Sequence, residues 1–99
     1  MGLFDRFRKK NVFPFYDKPN TAAFTCVHVL EQGKPILHVS HDEDGYWQFL
    51  CGERHSGDEG RIVALAEAYE LDPSVGTLAP MGCGHSADRT DVNGGWIIN

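Results

Sequence analysis

His41-Asp-Glu-Asp-Gly-Tyr-Trp-Gln-Phe-Leu-Cys-Gly-Glu-Arg-His55 is the stretch on which the reading of the fold turns. Asp42-Glu-Asp-Gly45 has the composition of a tight turn: Asp side chains bond nearby amides and Gly accepts a positive φ. Tyr46-Trp-Gln-Phe-Leu-Cys51 is aromatic-rich and alternating, which predicts a strand. From Gly52 to Glu59 a second polar loop follows.

Upstream, Phe24-Thr-Cys-Val-His-Val-Leu30 alternates and is rich in β-branched residues, so it reads as a strand. Glu31-Gln-Gly-Lys34 reads as a turn and Pro35-Ile-Leu-His-Val-Ser40 as a second strand. Three strands joined by tight turns make an antiparallel meander. Its turns predict a register in which His41 faces Tyr46, Ser40 faces Trp47, His38 faces Phe49 and Ile36 faces Cys51. Trp47, Phe49 and Cys51 then share a face with Ile36 and His38, while Cys26, His28, Val39 and Leu50 lie on the other. A slip of one residue exchanges the two faces.

Downstream, Asp58 is an expected N-cap. In Gly60-Arg-Ile-Val-Ala-Leu-Ala-Glu-Ala-Tyr-Glu-Leu71, Ile62, Leu65, Ala66 and Tyr69 fall on one helical stripe, and Asp72-Pro73 ends it. Residues 73–95 are rich in Gly and Pro and read as loop, with a short helical turn near Ser74–Leu78. Trp96-Ile-Ile98 reads as a short terminal strand. Pro14 and Pro19 make residues 11–23 an extended connector, with Phe13, Phe15 and Tyr16 tucked against the body. The expected fold is α+β: a three- or four-stranded antiparallel meander with one main helix packed on one face. Residues 1–23 form a basic segment and connector, and 24–99 a single domain.

Charge is unevenly distributed along the chain. The first ten residues set Arg6, Arg8, Lys9 and Lys10 against Asp5, a net of +3, whereas the rest carries −8. Binding of nucleic acid in general needs a basic footprint, which this body lacks. Leu3, Phe4 and Phe7 fall on one side of a short possible helix, suited to an anionic membrane surface or to a loosely docked terminus. Asp42, Glu43, Asp44, Glu53, Asp58 and Glu59 concentrate acid in two loops, a candidate surface for a basic protein partner. Acidity of this kind also serves solubility alone. No apolar run resembles a signal peptide or approaches the ~20 residues of a membrane span. With three widely spaced cysteines, that predicts a soluble protein of the reducing cytoplasm, monomer or homodimer.

The segments Cys26-Val-His-Val-Leu30, Asp42-Glu-Asp-Gly-Tyr-Trp-Gln-Phe-Leu-Cys-Gly52 and Asp72-Pro-Ser74 resemble a group of small bacterial proteins. These share an Asp-Gly-x-Trp-Gln-Phe-Leu-Cys-Gly strand, and the resemblance spans roughly residues 24–98. Small acidic domains of similar kind occur among bacterial immunity proteins. The resemblance therefore implies a non-catalytic protein-binding or regulatory module, whose acidic residues named above would meet a basic toxin. Cys83-Gly-His85 departs from the pattern, where an aromatic or acidic residue is more usual.

Two other chemistries stay open. Cys26-x-His28, His38-x2-His41, Cys51-x3-His55 and Cys83-x-His85 are close pairs of soft or borderline ligands, and zinc takes four such groups in a tetrahedron. Cys51, His55, Cys83 and His85 could meet if their loops lie side by side, giving a small zinc-binding protein. The predicted register sets Cys26 and His28 opposite Cys51, where they simply share a half-buried face. A Cys-dependent enzyme would use Cys51 with His38 or His55 and an Asp of the 42–44 turn. Asp42-x-Asp44-Gly45 imitates part of a calcium loop, but Cys51 stands where a bidentate Glu is required, so a hairpin turn is expected.

Overall fold

A computed structural model describes residues 13–54 and 57–99. The basic segment with Leu3, Phe4 and Phe7, and also His55, lie outside the described residues. Among those described, six strands form one mixed sheet: β1 (Ala22–Cys26), β2 (His38–His41), β3 (Trp47–Leu50), β4 (Gly60–Ala64), β5 (His85–Asp88) and β6 (Ile97–Ile98). Their spatial order is β4-β1-β3-β2-β5-β6. The helices are α1 (Val27–Gln32) and α2 (Leu65–Leu71), with short 3-10 segments at Gly57–Glu59 and Pro73–Leu78. The α+β class stands, and the simple meander is replaced by this wider sheet.

The departure begins at Cys26. Its backbone is still extended (φ −127°, ψ 163°), but from Val27 the chain coils into α1 instead of continuing as a strand. The amides of Gly33 and Lys34 both close on the His28 carbonyl, and Gly33 takes the left-handed conformation (φ 70°) that glycine supplies at helix ends. Glu31 and Gln32 are thus the last turn of a helix and not a hairpin. Because α1 carries the chain away, β2 does not pair with β1. β3 enters between them, parallel to β1 through Phe24↔Gln48 and Thr25↔Phe49. The buried Thr25 hydroxyl fixes this pairing by donating to the Phe49 carbonyl at 2.6 Å.

The hairpin of β2 and β3 forms as expected, shifted by one residue. His41 faces Trp47, Val39 faces Phe49 and His38 faces Leu50. The Asp42–Gly45 turn is closed by the Gly45 amide on the Asp42 carbonyl and the Asp42 amide on the Tyr46 carbonyl, with Gly45 at φ 94°. The shift moves Val39 onto the inner face with Trp47 and Phe49, all three buried.

The expected helix from Gly60 to Leu71 divides. Gly60–Ala64 is strand β4, antiparallel to β1 over five residue pairs, which leaves Ile62 70% exposed on the sheet edge. Only from Leu65 does the helix begin, where the Leu65 and Ala66 amides bond the Thr21 and Pro19 carbonyls of the connector. Glu67 accepts from the Ala64 amide, one half of a capping box. Leu65 and Ala68, not Ile62, are its buried residues. Asp72 ends the helix and caps the next turn by accepting from the Ser74 amide.

The inner face of the sheet is covered by α2, the Pro73–Leu78 turn and the connector, whose Phe15 packs edge-on to Trp47 at 5.0 Å. Phe15 is buried and Phe13 half-buried, whereas Tyr16 points to solvent at 93% exposure. Within the Gly-rich region, β5 adds to the far side of β2, and β6 to β5, as the terminal strand predicted. Among the described residues no helix is long and apolar enough to cross a membrane.

Candidate functional site

Parallel pairing of β1 with β3 brings their carboxyl ends side by side. Cys26 is the last residue of β1, and Cys51 follows the last residue of β3. His28 stands on the first turn of α1 and returns over the same ends, with Nδ1 3.5 Å from the Cys51 sulfur. The ligand atoms of Cys26, His28 and Cys51 all lie within 4.8 Å of one another. Two ligands of a tetrahedral zinc, at about 2.0–2.3 Å from the ion, stand roughly 3.5 Å apart. The Cys51–His28 pair already has that spacing.

The surroundings suit an ion. Both thiols are buried, and His28 is half-buried. Burial pushes the Cys51 thiol up from its ordinary pKa; a backbone hydrogen bond from Glu53 works against this, and the adjacent Cys26 adds to it. Such a sulfur is costly to ionise unless a cation takes the place of its proton. On the outer side of the ring, His28 Nε2 lies 3.8 Å from a Glu59 carboxylate oxygen. An acidic group behind a ligating imidazole fixes its orientation and raises its basicity.

This is not the set that spacing alone proposed. Cys51 and Cys83 stand at opposite ends of β3: the Cys83 sulfur lies 3.6 Å from Nε2 of His41, which pairs with Trp47 at the start of that strand. His85 directs Nδ1 to the Asn99 carbonyl at 3.0 Å. His55 lies outside the described residues. Cys26 and His28, set opposite Cys51 by the expected register, are instead its neighbours. The signal that could have found them was Cys-x-His at one strand end and Cys at another, provided the strands run parallel. No disulfide joins the three cysteines. His38, one of two bases that a Cys51-dependent enzyme could have used, pairs across strands with Asp88 at 2.6 Å.

The acidic residues divide between the two ends of the sheet. Asp42 accepts from Ser40 and Gln48 side chains, and Asp44 from the Tyr46 amide, as a hairpin turn requires. Glu53 pairs with Lys34 at 3.5 Å. Between the two ends the outer sheet face is open. Phe24, Tyr46, Leu50 and Ile62 line a groove of about 620 Å³ together with Asp42, Asp44 and Arg61.

Compared with protein-family models, with curated proteins and with solved structures, the chain finds no match in any of the three.

Proposed function

We propose that the protein is a small zinc-binding domain whose ion is held by Cys26, His28 and Cys51. The observation that carries this reading is the convergence of two sulfurs and one imidazole nitrogen, from β1, α1 and the end of β3, within 4.8 Å. Thiolate and imidazole together suit zinc better than calcium or magnesium, which take oxygen. Burial of both sulfurs favours a structural ion, so no reaction is proposed at this centre.

Elemental analysis of protein purified without added metal tests the proposal. Roughly one equivalent of zinc is expected in the wild type, and less than about a tenth in Cys26→Ser or Cys51→Ser. A wild type that also holds less than about a tenth removes the reading.

A second reading is favoured by the outer groove: a protein-binding module, immunity-like in kind, that takes a basic partner. A groove lined by Phe24, Tyr46, Leu50 and Ile62 with Asp42 and Asp44, whose Arg61 is already paired with Glu31 at 2.9 Å, on a chain of net charge −5, is complementary to a basic segment that presents one or two apolar side chains. The affinity of such a partner should fall as salt rises and fall again in Asp42→Asn/Asp44→Asn. Binding indifferent to salt counts against it.

A further inference from the structure

At the other end of β3 from the proposed zinc ligands, a second sulfur and imidazole meet in a different setting. Cys83 is exposed, in Gly82-Cys83-Gly84 just ahead of β5. Its sulfur lies 3.6 Å from His41 Nε2. The other ring nitrogen, Nδ1, lies 2.8 Å from the Met81 carbonyl. A carbonyl only accepts, so Nδ1 carries a proton, and in the neutral ring Nε2 presents its lone pair to the thiol. The ring is held flat against Trp47, 3.9 Å between centroids and 10° between planes. The loop is held in turn: the Gly84 amide donates to the His41 carbonyl at 2.6 Å, with Gly84 at φ 86°. Nucleophile, base and a group that orients the base are thus all present.

The Gly84 amide is already engaged with the His41 carbonyl and is not offered to an acyl oxyanion. Attack on sulfur needs no such donor. We propose that Cys83, with His41 as its base, is a site of mixed-disulfide formation with cationic low-molecular-weight disulfides. His41 Nε2 takes the proton from Cys83 Sγ. The thiolate attacks one sulfur of R–S–S–R; the Sγ–S bond forms as the reagent's S–S bond breaks. The leaving thiolate R–S⁻ receives the proton from His41, which restores the neutral ring. The products are the protein mixed disulfide and one R–SH, with the reagent as oxidant.

Charge selects the reagent. The Glu43 side chain packs over Gly84, its Cγ and Oε2 3.4 and 3.6 Å from where a Gly84 side chain would begin. The chain as a whole carries −5. A reagent with positive charge is drawn to this loop and one with negative charge is repelled.

The test follows the modification of full-length protein by cystamine and by oxidised glutathione, with the modified cysteine located by peptide mass spectrometry. Each rate is divided by that of a small neutral thiol. Cys83 should be the residue modified, at least about fivefold faster in the folded chain than in the urea-unfolded one, where exposure is complete. His41→Asn keeps an amide donor near Met81 and removes the base; its folded-state rate should fall at least about fivefold. Near-UV circular dichroism establishes that this variant is folded. Cystamine should outpace oxidised glutathione, and Glu43→Gln should narrow the ratio. Modification of Cys26 or Cys51 in place of Cys83, equal rates in folded and unfolded chains, or a folded His41→Asn that reacts at the wild-type rate overturns the pair. A ratio unmoved by Glu43→Gln overturns the preference for cationic reagents.

Discussion

Arg89 carries a guanidinium into the interior beside β5. Its Nε and Nη2 both donate to the Ile36 carbonyl, Nη1 donates to the Ser74 hydroxyl, and Nη2 pairs with the Asp72 carboxylate. The planar group lies 4.3 Å from the centroid of Trp96. One side chain thus ties the loop before β2, the end of α2, the Pro73–Leu78 turn and the C-terminal segment. Arg89→Met keeps much of the volume but strands an acceptor and a carboxylate, and should cost about 3 kcal/mol in urea unfolding. Arg89→Lys keeps the charge without the fork and should still lose more than about 1 kcal/mol. A wild-type midpoint in both would mean that the network contributes nothing. Crowding sets another limit: a Cβ at Gly76 would stand 2.9 Å from Tyr69 Cε1 and 3.0 Å from Pro14 Cγ, so Gly76→Ala should cost about 1–3 kcal/mol. Trp47 was legible in the sequence as a strand residue sharing a face with Phe49, and both are buried, because large aromatics in a strand have few other places to go. Arg89 was not legible, since its partners at positions 36, 72, 74 and 96 meet only once the fold exists.

Between elements, the sequence could be read two ways, and packing decided. Val27-His-Val29 alternates as a strand does, yet Leu30-Glu-Gln-Gly33 carries the signals of a helix end. Gly33 has open space around the position of a missing Cβ, so Gly33→Ala tests the backbone alone; a loss of about 1 kcal/mol is expected. Arg61-Ile-Val-Ala64 was drawn into the helix by a 3.6-residue stripe, although its β-branched pair serves β4 better. The two readings differ at Ile62. As helix core, Ile62→Thr would cost as much as Leu65→Ala. On the edge of β4 it should change stability by no more than about 0.5 kcal/mol, while Leu65→Ala, fully buried, costs about 2–5 kcal/mol. Unfolding curves for the two variants decide between them. β5 was missed for the opposite reason: His85-Ser-Ala-Asp88 has no strand preference of its own and takes its conformation from pairing with β2.

At the scale of the whole molecule, what could not be read from local pattern is which strand lies between which. Turn residues and alternation define a strand and its near neighbour, and the β2–β3 hairpin was legible for that reason. The insertion of β3 beside β1 depends on α1 leading the chain away and on Thr25, Trp47 and Phe49 sharing one buried face. That single topological fact also decided the candidate site, because parallel strands bring Cys26 and Cys51 to the same end. A zinc ion bound there would join β1, α1 and β3, the long-range pairing least supported by local sequence. An ion that binds only the folded chain stabilises it by about 2.7 kcal/mol when its concentration is about 100 times Kd. For a domain of this size that is a rise in Tm of roughly 10–20 °C. A strong chelator should therefore lower the melting midpoint of the wild type by that amount. Cys26→Ser should melt near the chelated wild type and respond no further to chelator. Cys83→Ser, altered at the other end of β3, should keep the full response. Equal midpoints with and without chelator, in wild-type protein shown to carry zinc before treatment and none after it, would separate metal binding from any part in holding β1 to β3.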